Sequence, residues 1–458
     1  MTQVVDVVIC GAGSAGVAAA YYLAKEKGIS NLLIIDKHPP LTQTSAKSGE
    51  NYRNWWPNPV MAQLMNRSID LMEELAADSS NRFNMERRGY AYATSRSQQK
   101  LDDYFRAYIQ SDVGDLRVHT ENNPQNLAPY LPSTGQGYKN EPDGVDLLFD
   151  SQLIGEHFPH FSPTVQSVIH VRRAGGISAQ QLGMYLLEEA KKLGVREVRG
   201  EVTAVTQDNH GISGVEITTA NGKELIQTRT FVNAAGPFAP DIAAMLNIKL
   251  PIYSVLQQKI AIQDHQQIIP RNAPFTIFMD GQTLNWADAE RADLQSEPEY
   301  QWLLDKLPGG LHIKPEGGKN STWIKVGWAI NQKTERPLWQ PDGNPEFVDI
   351  VLRGATKLVP ELEQYLYNLP QPIVHYAGYY TKTKENLPVI GPIGIKGAYI
   401  LGALSGFGTM ASCAAGELLA NWITGDSLPA YAMQMSLDRY NNPALMATIL
   451  DIQLQGEL

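Results

Sequence analysis

The sequence predicts an α/β protein in which a doubly wound, parallel-sheet module is interleaved with an α+β module built on a mostly antiparallel sheet. Two observations carry the prediction. Buried, strand-like runs that end on small-residue turns open the chain and return near residues 231–237 and 397–408. Between them lie segments richer in aromatics and loops, with the two-residue alternation of half-buried strands. A chain of 458 residues exceeds one ordinary core, so two units are expected.

The first unit is the more explicit. Residues 4–10 form an apolar run leading into Gly11-Ala12-Gly13-Ser14-Ala15-Gly16, and the run 32–35 ends on Asp36. This is a strand, a glycine turn, a helix, a second strand and an acid, in Rossmann order. One glycine makes the turn, one lets backbone approach a pyrophosphate, and one lets helix pack on strand. The N–H groups at the helix N-terminus and the aligned peptide dipoles favour the phosphate charge. Asp36, about twenty residues on, is placed to accept hydrogen bonds from a ribose diol, with Lys37 beside it.

The remaining elements follow in order. Residues 60–77 have helical apolar spacing, and residues 89–94 alternate like a strand and open the second texture. A helix over 179–193 and a strand-turn-strand unit over 201–217 precede the buried run that ends on Asn233-Ala234-Ala235-Gly236-Pro237. Strand-like runs at 252–262 and 323–329 build the roof of the second module, and a strand over 402–409 followed by a helix returns to the first. The expected division is residues 1–77, 176–250 and 375–458 for the dinucleotide module, with 78–175 and 251–374 for the substrate module.

Composition narrows the function classes. A formal charge of -10 argues against a nucleic-acid surface, which needs a basic face to displace counterions. Two cysteines provide neither a disulfide framework nor a thiolate metal site, and no metal-ligand spacing occurs. A first strand near residue 4 and the lack of a long apolar run lead us to expect a cytoplasmic protein without integral membrane contact. Residues 443–450 have helical apolar spacing that suits packing on the chain itself, with lipid or a partner as the alternative.

Four segments together resemble the D-amino-acid oxidase and glycine-sarcosine oxidase family of FAD-dependent flavoproteins. They are the opening glycine motif, the Val202 region with Asn233–Pro237, Thr381-Lys382-Thr383-Lys384-Glu385-Asn386-Leu387-Pro388, and Ser405-Gly406-Phe407-Gly408. The resemblance implies FAD bound in extended form beneath the roof sheet. It assigns Gly11, Gly13, Ser14, Ala15, Gly16, Asp36 and Lys37 to the adenosine and pyrophosphate half. Ser45 and Ser48 would reach phosphate or ribityl oxygens, or else bond their own turns. Val202 would offer its backbone to adenine. Gly236 and the turn Gly406, Gly408, Thr409 and Met410 would present backbone near the flavin. Sarcosine oxidases tie the flavin to a cysteine where this chain has Gly378, so FAD is expected to be non-covalent.

The implied reaction oxidises the C–N bond of a small-molecule amine or amino acid by hydride transfer to flavin, with O2 as acceptor and H2O2 as product. Two other readings stay open: a dehydrogenase that passes electrons to a quinone or an electron-transfer protein, and a non-catalytic flavin-fold binding protein. Lys325, in Trp323-Ile324-Lys325-Val326-Gly327-Trp328, resembles the lysine that activates oxygen in sarcosine oxidases; an exposed lysine on the outer face is the alternative. Arg53 resembles the family arginine near flavin and substrate and suits a carboxylate, unless it serves an ion pair with Glu50. Met410 stands where those enzymes carry the lysine that grips the substrate carboxylate, which removes one of two cations. Tyr253 and Tyr380 are the aromatic candidates for the pocket wall; His312 and His375 receive no role.

Overall fold

The structure, a computed structural model, describes residues 3–101, 113–120, 129–135 and 137–453. Among them are two nine-stranded sheets. The first has a parallel centre in which Arg196–Asp208, Leu32–Asp36, Val7–Cys10, Thr230–Asn233 and Ala398–Gly402 lie side by side. Strands Gly211–Thr219 and Gly222–Gln227 extend one edge in antiparallel fashion, and Val389–Pro392 closes the other. The buried, near-continuous apolar runs of Val7–Cys10 and Leu32–Asp36 suit this setting, because helices and loops cover both faces of a parallel sheet.

Helices Ser14–Lys27, Pro59–Asp78, Ala179–Lys192 and Gly408–Thr424 pack together on one face around Val17, Leu64, Leu186 and Leu418. The other face buries Val8, Leu33, Val215 and Phe231 against the helix Ala239–Ala244. Caps bound these helices where the sequence supplies them. Asn58 accepts from the Val60 N–H and Ser178 from the Gln181 N–H, satisfying donors that an isolated helix leaves unpaired.

The second sheet runs Val374–Lys382, Tyr253–Gln263, Trp323–Trp328, Leu311–Pro315, Phe275–Phe278, Tyr90–Thr94, Ser167–Val171, Val145–Leu148 and Leu116–His119. Most of its pairings are antiparallel, as expected. One face of its centre is apolar: Ile260, Ile262, Ile313, Ile324, Val326 and Trp328 bury against the helix Phe347–Leu358. Each such side chain contributes about 1.5–3 kcal/mol on burial. A one-residue slip would turn all of them to the opposite face. The register is therefore fixed, and the alternate residues Gln257, Lys259, Lys314 and Lys325 are forced onto the opposite face.

The strand expected over 402–409 does not form. Strand Ala398–Gly402 stops at Gly402, and the helix begins at Gly408. Ala403, Ser405 and Gly406 between them take φ of 55°, 36° and 81°, a left-handed backbone that no strand continues. Among the described residues no helix is long and apolar enough to cross a membrane, and no group of three or more His, Cys, Asp or Glu is arranged to hold a metal. The C-terminal helix Pro443–Gln453 buries Ile449 in the first unit's core.

Candidate functional site

A cleft of about 840 Å³, open to solvent, separates the two sheets. Its floor is the glycine turn and helix start at Gly13, Ser14 and Ala15, with Gly236, Gly406, Gly408 and Thr409 along the walls. Its roof is the polar face of the second sheet: Gln257, Lys259, Tyr376, Gly378 and Tyr380.

The floor is built for close backbone approach. A Cβ on Gly16 would lie 2.0 Å from the Gly11 carbonyl oxygen, so only glycine lets the helix start this near the strand end. Asp36 accepts from the Ala12 N–H at 2.8 Å and the His38 N–H at 2.9 Å, which ties the end of the second strand to the glycine turn. Ser45 accepts from the Ser14 N–H at 3.0 Å, and Ser48 shares a 2.8 Å hydrogen bond with Thr409. Lys37 pairs at the surface with Glu201, 3.1 Å away. Val202 is buried on strand Arg196–Asp208, beside a register shift and clear of the cleft wall.

On the far wall, Gly406 has φ 81°, and a Cβ there would meet the Tyr380 ring at 2.5 Å. That contact is possible only because glycine brings bare backbone up to a flat ring. Tyr380 is thereby set as the aromatic roof over the turn. Met410 faces the other way, into the apolar core with Phe407 and Ala411. Tyr253 lies at the start of its strand, 37% exposed and away from the cleft.

Arg53 is buried on the short strand Asn51–Arg53 and donates to the Tyr92 hydroxyl at 2.5 Å. Its guanidinium lies over Trp56, Tyr90 and Tyr92, 4.5, 5.5 and 5.8 Å from the ring centres. Such a cage holds the guanidinium charge by ring quadrupoles. Arg53 is not on the cleft wall, although its field reaches the Tyr380 phenol.

Glu50, named above as the alternative partner for Arg53, contacts Lys325. Lys325 Nζ stands 3.3 Å from Glu50 Oε2 and 3.1 Å from Glu316 Oε2, and the second contact is shared by Lys314 at 3.2 Å. Lys325 is thus neither on an outer face nor exposed. Burial opposes its charge, but the Glu316 and Glu50 carboxylates outweigh burial and hold its pKa above the ordinary lysine value. Burial likewise works against the Glu316 carboxylate, and the two lysines overcome it, bringing its pKa down to about 2.

Sequence reasoning passed over Lys259, which is on the cleft wall. It is 7% exposed, donates to the Lys47 carbonyl at 3.3 Å, and sits 5.9 Å from the centre of the Tyr380 ring. Burial first, then the Lys325 and Lys314 charges, lower its pKa to about 7. The signal was present in the alternation of Gln257, Lys259 and Ala261 against Leu256, Ile260 and Ile262.

The floor and walls fit a flavin dinucleotide on these observations: a helix start without room for a Cβ, a second glycine turn opposite it, and a cleft lined by small residues. Comparison with known proteins agrees. The chain resembles the sarcosine oxidase beta subunits of Arthrobacter sp and Rhizobium meliloti, at 23% identity over 266 residues and 26% over 260. These alignments take in 58% and 55% of this chain and only 59% and 54% of those proteins. Among solved structures, L-proline dehydrogenase from P. horikoshii superposes with a TM-score of 0.71 at 20% identity, covering 96% of this chain and 99% of that one. Glycine oxidase from Geobacillus kaustophilus gives 0.68 at 17%, over the same shares. These two likenesses establish the fold. A family model described as FAD dependent oxidoreductase matches residues 6–422, and the chain belongs to that family, with FAD as its cofactor.

Proposed function

We propose that this protein oxidises the C–N bond of a small amine that carries a carboxylate, with O2 as electron acceptor and H2O2 as product. The observation that carries the proposal is the row of buried lysines on the roof sheet, where Lys259, Lys314 and Lys325 all lie on the side turned to the glycine-lined cleft. Bound FAD supplies the two-electron acceptor for the hydride that leaves the substrate carbon. Everything else falls to the chain.

Ser14, Ala15 and Gly16 would hold the pyrophosphate charge at the helix start, and Asp36 would take the ribose hydroxyls. Ser45, Ser48, Gly236 and the Gly406–Thr409 turn would hold the remainder of the dinucleotide. The Arg53 charge, whose field reaches the Tyr380 phenol on the cleft wall, favours a substrate carboxylate there. Tyr380 forms a wall that keeps water from the reacting bond. Lys325 would provide a fixed positive charge that favours electron transfer to oxygen. The names of the resembling proteins, which include sarcosine, glycine and proline, support a small amino acid as substrate.

One observation favours a dehydrogenase that uses a quinone or an electron-transfer protein: Glu50 and Glu316 both contact Lys325 and offset its charge. A single experiment separates the two. The FAD-loaded protein is reduced under argon with sarcosine, glycine, L-proline or benzylamine, then mixed with aerated buffer. An oxidase regains its colour within the turnover time and releases H2O2. Reoxidation far slower than turnover with an artificial acceptor selects the dehydrogenase, and bleaching by benzylamine alone removes the carboxylate from the proposal.

A further inference from the structure

The roof places three lysines on one face but treats them unequally. Lys314 and Lys325 each have a carboxylate within 3.3 Å, whereas Lys259 has no carboxylate partner among the described residues. Its hydrogen bond to the Lys47 carbonyl occupies one N–H and leaves the nitrogen lone pair available. Of the three, Lys259 is the one that lines the cleft. Tyr380, which it approaches at 5.9 Å, also feels the Arg53 charge.

A substrate amino acid arrives in water with its amine protonated, and an ammonium nitrogen has no electron pair with which to form a C=N bond. We propose that Lys259 is the catalytic base that takes the proton from the substrate ammonium as the amine docks in the cleft, an assignment that rests on the amine-oxidising reading above. The balance is simple. The ammonium N–H bond breaks, its electron pair stays on the substrate nitrogen, and the proton forms a new bond to Lys259 Nζ. Bound FAD would accept the substrate C–H electron pair as hydride, and the freed nitrogen pair would complete the C=N bond of a protonated imine. Lys259 returns its proton to water when product departs.

The surroundings favour this exchange from every side. On the neighbouring strands, Lys325, Lys314 and the His312 ring face Lys259, and Tyr376 and Tyr380 flank it. The Glu50 carboxylate acts in the opposite sense. Burial and the two lysines outweigh Glu50, so the resting amine is close to evenly divided between its forms at neutral pH. His312, itself pushed down to about 3 by burial and by Lys259, remains neutral and takes no part. Counting Lys259, Lys314 and Lys325 against Glu50 and Glu316, the proton captured from substrate brings the cluster from neutral to one net positive charge. That charge is then in place for the step with oxygen.

The test begins without turnover. The visible absorption of the FAD-loaded protein is followed from pH 5 to 9 for the wild type, Lys259→Met and Lys325→Met. The wild type is expected to show one transition near pH 7, absent from Lys259→Met and moved to higher pH in Lys325→Met, where a neighbouring positive charge is gone. A wild type without a transition, or a transition that survives in Lys259→Met, overturns the assignment. Anaerobic reduction by sarcosine or L-proline is the second arm. In wild type the second-order rate of reduction levels off near pH 7. In Lys259→Met it is expected to climb tenfold per pH unit up to the amine's own pKa, and Lys259→Arg is expected to be slower still. Unchanged profiles in both variants overturn the inference alone, whereas a wild type that neither substrate bleaches overturns the underlying reading. Retained FAD content and far-ultraviolet circular dichroism identify variants that fold.

Discussion

Lys325 Nζ stands 3.1 Å from Glu316 Oε2, and this pair is the hinge of the roof's charge balance. A buried pair stripped of one partner leaves an uncompensated charge, which costs about 3–5 kcal/mol. Glu316→Gln, which leaves Lys314 and Lys325 facing each other with one fewer anion, is expected to lose about 3 kcal/mol of stability, read from the midpoint of urea unfolding of the FAD-loaded protein. An unchanged midpoint would mean that water already screens the pair.

Removing the charge of Lys325 itself separates oxidase from dehydrogenase. If Lys325 stabilises developing superoxide, Lys325→Met slows reoxidation by O2 by about 10²-fold while anaerobic reduction by substrate changes little. Equal slowing of both half-reactions would instead indicate a displaced cofactor.

Lys259 makes stability depend on pH in a defined direction. Its pKa of about 7 in the folded protein lies below the ordinary lysine value, so between the two the unfolded chain binds more protons. Stability therefore rises as pH climbs from about 7 toward 10, and the whole penalty is present below 7. Lys259→Met, freed of that penalty, is expected to be more stable than wild type at pH 6 by a few kcal/mol, with the gap closing toward pH 10. Thermal melts across that range measure it; a gap independent of pH would contradict the assignment.

Arg53 is tested by the substrate's carboxylate. Loss of its charge in Arg53→Met should weaken binding of carboxylate substrates by about 10-fold, the order of a single charge interaction, and leave plain amines nearly unaffected. A matching loss for benzylamine would assign Arg53 to the aromatic cage alone.

The cofactor should be removable. Gly378 provides no sulfur, and both cysteines, Cys10 and Cys413, are buried free thiols. Acid precipitation is expected to leave the yellow colour in the supernatant. Colour retained by the pellet would reveal a covalent link.

Much of this was legible before the fold was known. The glycine turn, the Asp36 end of the second strand and the helices near 60–77 and 179–193 follow from local rules, because turn geometry, caps and apolar spacing act over a few residues. The break at Ala403–Gly406 escaped because Ala403 and Ser405 rarely take a positive φ. Nothing local announces it; a ring from a distant strand, Tyr380, lies against Gly406 there.

The sequence by itself determined that the polar and apolar residues of the roof strands lie on opposite faces, since side chains alternate across a strand. It also determined the cradle for the dinucleotide. Only the tertiary structure decided which lysine meets the cleft and which is held by carboxylates. Glu50, Lys259 and the stretch 314–325 are distant from one another in sequence, yet charge interacts through space. The helix Phe347–Leu358 claims the apolar face, and the remaining lysines are pressed toward Glu50, Lys47 and the glycine turns.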